Sequence, residues 1–171
     1  PILFLLMFYL YATLDPLDEY GLFFEKKHVW LSVGIGLLAA IILFVVDNAA
    51  GIFELYEVPA NPGVLAAFGF VFAWAVIAPF AEEILFRGII QTTLSKTFDT
   101  TWVAIFGTVA LEVVMHAGLF SGSFSGWAMM GYVAVFSTAA SVIYARTKSL
   151  TGPILIHALG NGGELLLYWL L

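Results

Sequence analysis

The chain has 171 residues, 62% hydrophobic and 11% charged, with a mean hydropathy of +1.01. Soluble domains carry about 45–50% apolar and about 25% charged residues, so this composition belongs to an integral membrane protein, here a single domain over residues 1–171. The net charge of −6 comes from acids scattered through loops, no basic patch offers itself to nucleic acid, and the absence of cysteine excludes disulfides, a thiol nucleophile and a thiolate metal site.

Six apolar runs are expected to form transmembrane helices, giving an all-α polytopic bundle of about six helices. The first, Pro1–Leu14, lacks a basic n-region and a cleavage signal, and is read as a helix cut short at Pro1 rather than a signal peptide. The others are Val29–Val46, Val64–Leu94, Trp102–Leu119, Trp127–Tyr144 and Leu150–Leu171. The third run is too long for a straight span and contains Pro79, where a kink or an extension past the membrane surface is expected. Small residues in "GVLAAFG" and "STAAS" allow close helix approach. There is no internal repeat and no linker.

The loops suggest an orientation. Lys26 and Lys27, Lys96, and Arg146 with Lys148 lie in alternate loops, whereas Asp47–Gly63 and Phe120–Gly126 contain no lysine or arginine. The positive-inside rule then makes the odd-numbered loops cytoplasmic in a multi-pass protein of the cell membrane.

"AEEILFRG" places Glu82, Glu83 and Arg87 inside the long third run. An ionised side chain in hydrocarbon is expensive and usually marks function. Glu83 and Arg87 are four residues apart and can pair along one helix face, whereas Glu82 points about 100° away and has no partner on its own helix. The bland alternative is an ion network that merely locks helices together. Glu112 and His116 are four apart on the next helix, and His157 and Asn161 four apart on the last. Counted at 1.5 Å per residue, Glu82, His116, His157 and Asn161 lie about 9–21 Å from the cytoplasmic ends, depths that permit one inward-opening cavity. Asp15, Asp18, Glu19, Glu25, Glu54, Glu57 and Asp99 are expected to be solvated, and Asp47 and Glu164 to reach water near helix ends. His28 beside Lys27 is read as a surface residue.

"EEILFRG", a histidine one helix later, and "HALGN" together resemble the CPBP family, which comprises the CAAX proteases and bacteriocin-processing enzymes and is also called the Abi family. Its signature is Glu-Glu-x-x-x-Arg, Phe-x-x-x-His and His-x-x-x-Asn or Asp on separate transmembrane helices. "RTKSL" is similar to the family's Arg-Thr-Gly-Ser-Leu, with Lys148 in place of glycine, and the likeness runs from about Val64 to Asn161. One position departs: Glu112 stands where the family usually has phenylalanine, and its carboxylate could orient His116 or signal an altered activity.

The resemblance implies an intramembrane endopeptidase with its active site buried within the membrane and Glu82 as base. Peptide hydrolysis needs an activated water, a receiver for the oxyanion and a proton for the leaving amine. Glu82 suits the first and last, His116 can hold the water, and His157 and Asn161 can donate to the oxyanion. Glu83, Arg87 and Glu112 would support them. Zinc on Glu82, His116 and His157 is the alternative, but no His-Glu-x-x-His pairing is present and asparagine is a poor zinc ligand, so the cofactor-free reading is favoured. The expected partners are a peptide or lipidated (CAAX-type) protein substrate and membrane lipids. Two other classes compete: a catalytically silent membrane scaffold, favoured by Glu112, and a transporter, disfavoured by the lack of repeats.

Overall fold

The computed structural model describes residues 17–50, 63–120 and 124–171, and among them the regular structure is helical, without strands. The expected span Pro1–Leu14 lies outside the described residues. A short 3₁₀ turn at Leu17–Tyr20 precedes α1 (Val29–Ala50). It is followed by α2 (Val64–Phe98), α3 (Thr101–Phe120), α4 (Phe124–Thr147) and α5 (Thr151–Leu170). Helix is the form dictated by such apolar runs, because in hydrocarbon each backbone amide must find its partner within its own segment. Over residues 29–49, 64–98 and 126–147, α1, α2 and α4 are long and apolar enough to cross a membrane, and α3 is apolar but shorter over Thr101–Ala117.

The pairing of α1 with α5 is the most extensive in the bundle. Along α1, Ser32, Gly36, Ala39, Ala40, Leu43 and Asp47 recur at helical spacing and are buried, while Trp30, Leu37, Leu38, Ile41 and Val45 face outward. The backbones approach closely through small residues. A Cβ on Gly36 would stand 2.8 Å from the Leu159 Cβ, and one on Gly163 would stand 2.7 Å from the Ala40 Cβ.

Helix α2 runs through Pro79 without interruption. The proline sits at the start of the α-helical segment Ala78–Glu83, directly after a π-helical stretch at Ala73–Ile77, whose wider turn absorbs the missing hydrogen bond. A second π-helical stretch covers Ile84–Gln91. Glu83, Arg87 and Gln91 therefore line one buried edge of α2. Opposite them, Ser137 and Ser141 of α4 accept from Arg87 and Gln91, the latter donating Nε2–H to the Ser141 carbonyl at 2.9 Å.

Toward the lysine- and arginine-bearing loops the bundle is filled by Tyr20, Ile84, Tyr144 and Leu150. The segment after the 3₁₀ turn is tied down there. Leu150 N–H donates to the Gly21 carbonyl at 2.8 Å, and Glu25 N–H donates to Thr151 Oγ1 at 3.2 Å.

Candidate active site

A cavity of about 340 Å³ opens between the five described helices, and Glu82, Glu112, His116, His157 and Asn161 lie on its wall. The structure thus brings the four residues of the expected site to one space. Further residues extend the wall. Asp47, Trp74, His116, Met129, Tyr132 and Glu164 all occupy the helix halves remote from Lys26, Lys96 and Arg146. The cavity wall therefore extends farther from those loops than the four expected residues alone define.

Glu82 and Glu83 diverge as the 100° helical step requires, and His157 of α5 joins them. Its Nδ1 lies 2.9 Å from Glu83 Oε1 and its Nε2 lies 3.8 Å from Glu82 Oε2. Phe136 packs edge-on against the imidazole, with centroids 5.1 Å apart. A carboxylate can only accept, so Nδ1 carries a hydrogen and the ring is oriented with Nε2 toward Glu82.

Glu83 also receives Arg87, whose Nη1 donates to the same Oε1 at 2.9 Å. Arg87 is wholly buried and has a second counter-ion. Its Nη2 lies 2.9 Å from Glu112 Oε2, and Ser137 Oγ donates to that oxygen at 2.6 Å. Glu112 does not reach His116 through its carboxylate, as the sequence reading allowed. The carboxylate turns back to Arg87, and it is the backbone carbonyl of Glu112 that accepts His116 Nδ1–H at 2.8 Å. That bond leaves His116 Nε2 as an acceptor when the ring is neutral.

Asn161 donates one Nδ2 hydrogen to the Trp74 carbonyl at 3.1 Å, which leaves its second hydrogen for a ligand. Trp74 belongs to the π-helical stretch Ala73–Ile77, which thereby sets the Asn161 carboxamide.

Two acids that the sequence reading sent to water belong to the cavity. Asp47 and Glu164 are 4% and 2% exposed, lie on the cavity wall and hydrogen-bond each other. A signal for both was present in the spacing. Asp47 is four residues from Leu43 on the buried stripe of α1, and Glu164 continues the face of His157 and Asn161 at steps of four and three.

As to metal, His157 directs Nδ1 to Glu83 and His116 directs Nδ1 to a backbone carbonyl, which leaves Nε2 of each ring as the nitrogen that could ligate. Among the described residues no three His, Cys, Asp or Glu side chains converge as metal ligands. Glu82, His116 and His157, the zinc set weighed as the alternative, are thus not gathered as such a group among the described residues.

The bundle and its cavity define a multi-pass membrane protein with a carboxylate and imidazole centre between its helices. Residues 63–163 match the family described as type II CAAX prenyl endopeptidase, Rce1-like, and the chain belongs to that family of proteases. The match agrees with the CPBP resemblance and spans α2, α3, α4 and most of α5. No curated protein and no solved structure matches the chain.

Proposed function

We propose that the protein is a metal-free intramembrane endopeptidase in which Glu82 activates water to hydrolyse a peptide bond of a membrane-associated or prenylated (CAAX-type) substrate. The observation that carries this reading is the division among the carboxylates. Glu83 and Glu112 are both bound to Arg87, whereas Glu82 is 32% exposed on the cavity wall and faces His157 Nε2.

Glu82 takes a proton from a water that His116 Nε2 helps to hold, and the water oxygen attacks the scissile carbonyl carbon. Negative charge then develops on the carbonyl oxygen. The second Nδ2 hydrogen of Asn161 and, in its protonated form, His157 Nε2–H are the donors placed to receive it. Collapse of the intermediate breaks the C–N bond, and Glu82 returns its proton to the leaving amine. Glu83 holds the His157 ring, and Arg87 and Glu112 fix the helix that carries both glutamates. Glu112, the residue that favoured a silent scaffold, supports the enzymatic reading instead, since its carboxylate is occupied by Arg87 and Ser137.

The test is cleavage of a panel of quenched-fluorophore membrane peptides, farnesylated and unmodified, by purified protein in lipid nanodiscs. Wild type is expected to cleave at least one of them and Glu82→Ala none. Equal cleavage by the two proteins overturns the proposal.

A further inference from the structure

The Asp47 and Glu164 pair has no role in the hydrolysis just described, and both residues lie outside the segment that matches the family. Their surroundings are unusual for two buried acids. Among the described residues no lysine or arginine lines the cavity, and both terminal nitrogens of Arg87 are taken by Glu83, Glu112 and Ser137. The indole of Trp74 hydrogen-bonds Glu164, and Asp47 and Glu164 bond each other. One oxygen, Asp47 Oδ1, has no hydrogen-bond partner although the residue is almost completely buried on the cavity wall. A buried acceptor without a donor is costly, more so in hydrocarbon, and among the described residues no group supplies the missing donor.

We propose that Asp47 and Glu164 form a subsite for a cationic group of the substrate, an ammonium or guanidinium, at the end of the cavity beyond Asn161. This rests on the endopeptidase reading and names the substrate class: peptides with a basic residue near the cleaved bond. An entering ammonium brings three donors, one of which can meet the unpartnered Asp47 Oδ1. The geometry sets the spacing. His157, Asn161 and Glu164 lie on one face of α5, and the seven residues from His157 to Glu164 rise about 10 Å. An extended peptide advances about 3.3 Å per residue, so the basic residue stands about three positions from the scissile bond. Trp74 couples the two places, since its carbonyl accepts from Asn161 and its indole binds Glu164.

Binding is the decisive measurement, because it separates this subsite from the catalytic reading. Fluorescent peptides carrying lysine, arginine or neutral norleucine three positions from the cleaved bond are titrated against Glu82→Gln protein. A norleucine peptide with a free rather than acetylated amino terminus tests the terminal ammonium as the alternative source of charge. The lysine or arginine peptide is expected to bind about tenfold or more tightly than norleucine, and the preference to vanish in the Asp47→Asn, Glu164→Gln double variant, whose side chains keep their size. Thermal melting of that variant shows that it is folded. Equal binding of charged and neutral peptides, or a preference that survives in the folded double variant, overturns the subsite. Preference without cleavage by wild type would sink the endopeptidase reading and leave the subsite standing.

Discussion

Glu112 and Arg87, 25 residues apart in the chain, face each other inside the bundle with Oε2 2.9 Å from Nη2. With Glu83 on the other terminal nitrogen, the guanidinium stands between two carboxylates. The sequence paired Arg87 with Glu83 alone, and on that basis loss of Glu83 would strand a buried cation. The structure changes this expectation, because Arg87 keeps Glu112 when Glu83 is neutralised.

The consequence is a ranking of stabilities. Arg87→Met leaves both Glu83 and Glu112 without their cation, and breaking a buried ion pair in this way commonly costs about 3–5 kcal/mol. Glu83→Gln and Glu112→Gln each leave Arg87 one carboxylate and an amide acceptor, so each is expected to cost about 1–3 kcal/mol. Reversible unfolding in mixed detergent micelles measures all three. If Glu112→Gln proves as damaging as Arg87→Met, the two-counter-ion account of Arg87 is wrong.

The two adjacent glutamates are expected to separate in activity. Glu82→Gln keeps shape and removes the base, so cleavage should fall by about two to four orders of magnitude while melting stays near wild type. Glu83→Gln keeps the base but weakens the anchor on His157 Nδ1, and a misplaced catalytic group can cost up to about 10²-fold. Parallel rate and melting measurements on the two variants distinguish these outcomes. A stable Glu83→Gln protein with no cleavage beside an active Glu82→Gln protein would reverse the two roles.

Metal dependence has a direct readout. Exhaustive treatment with chelator is expected to leave cleavage unchanged, and elemental analysis of active protein to find no stoichiometric metal. Activity lost on chelation and restored by added zinc would assign Glu82 to a metal-assisted mechanism instead.

The helices and the helix bearing each candidate group were legible because apolar periodicity and the four-residue spacings are local properties of the chain. Which charges face one another was not. Glu112 sits four residues before His116, and that spacing invited a contact between their side chains, but the buried guanidinium of Arg87 is the stronger attraction for its carboxylate. Asp47 looks terminal when the helix end is judged by hydropathy, yet α1 continues to Ala50, and Glu164 lies seven residues inside the expected span, where only the packing of α5 on α1 shows that it faces Asp47. The reach of the cavity is hidden for a related reason: counting residues from one end gives each group a depth, but that Asp47 and Glu164 share a wall with His157 depends on elements distant in sequence.

Lys148 offers a test of the backbone alone. It follows α4 with φ +56°, and its N–H donates to the Tyr144 carbonyl at 2.7 Å. This left-handed residue at a helix end is where glycine is most at home, and the resembling family motif has glycine at that place. Left-handed backbone costs a side-chain-bearing residue about 1–2 kcal/mol, partly offset by the greater freedom of glycine when unfolded. Lys148→Gly should therefore stabilise the protein by about 0.5–1 kcal/mol. The neighbouring Gly21, at φ +83°, is the reverse control, because a Cβ there would stand 2.7 Å from the Lys148 carbonyl oxygen. Gly21→Ala should lower the melting temperature, and a Lys148→Gly protein that melts below wild type would contradict the strain argument.

The side from which substrate arrives follows from orientation, and the cysteine-free chain makes orientation measurable. Lys26 and Lys148 are exposed near one end of the bundle and Gly63 is exposed at the start of α2 near the other. With the basic loops in the cytoplasm, Lys26→Cys and Lys148→Cys should react with a membrane-impermeant maleimide only after the membrane is opened. Gly63→Cys should react in intact cells. The cavity then lies in the outer half of the bundle, since Asp47, His116 and Glu164 occupy the helix halves on the Gly63 side. Substrates that present their peptide bond from the outer face would be favoured, and His116→Cys, on the cavity wall, should react from outside more slowly than Gly63→Cys. Labelling of Lys26→Cys and Lys148→Cys in intact cells would invert the protein, place the cavity in the cytoplasmic half, and favour substrates whose lipidated ends lie in that leaflet.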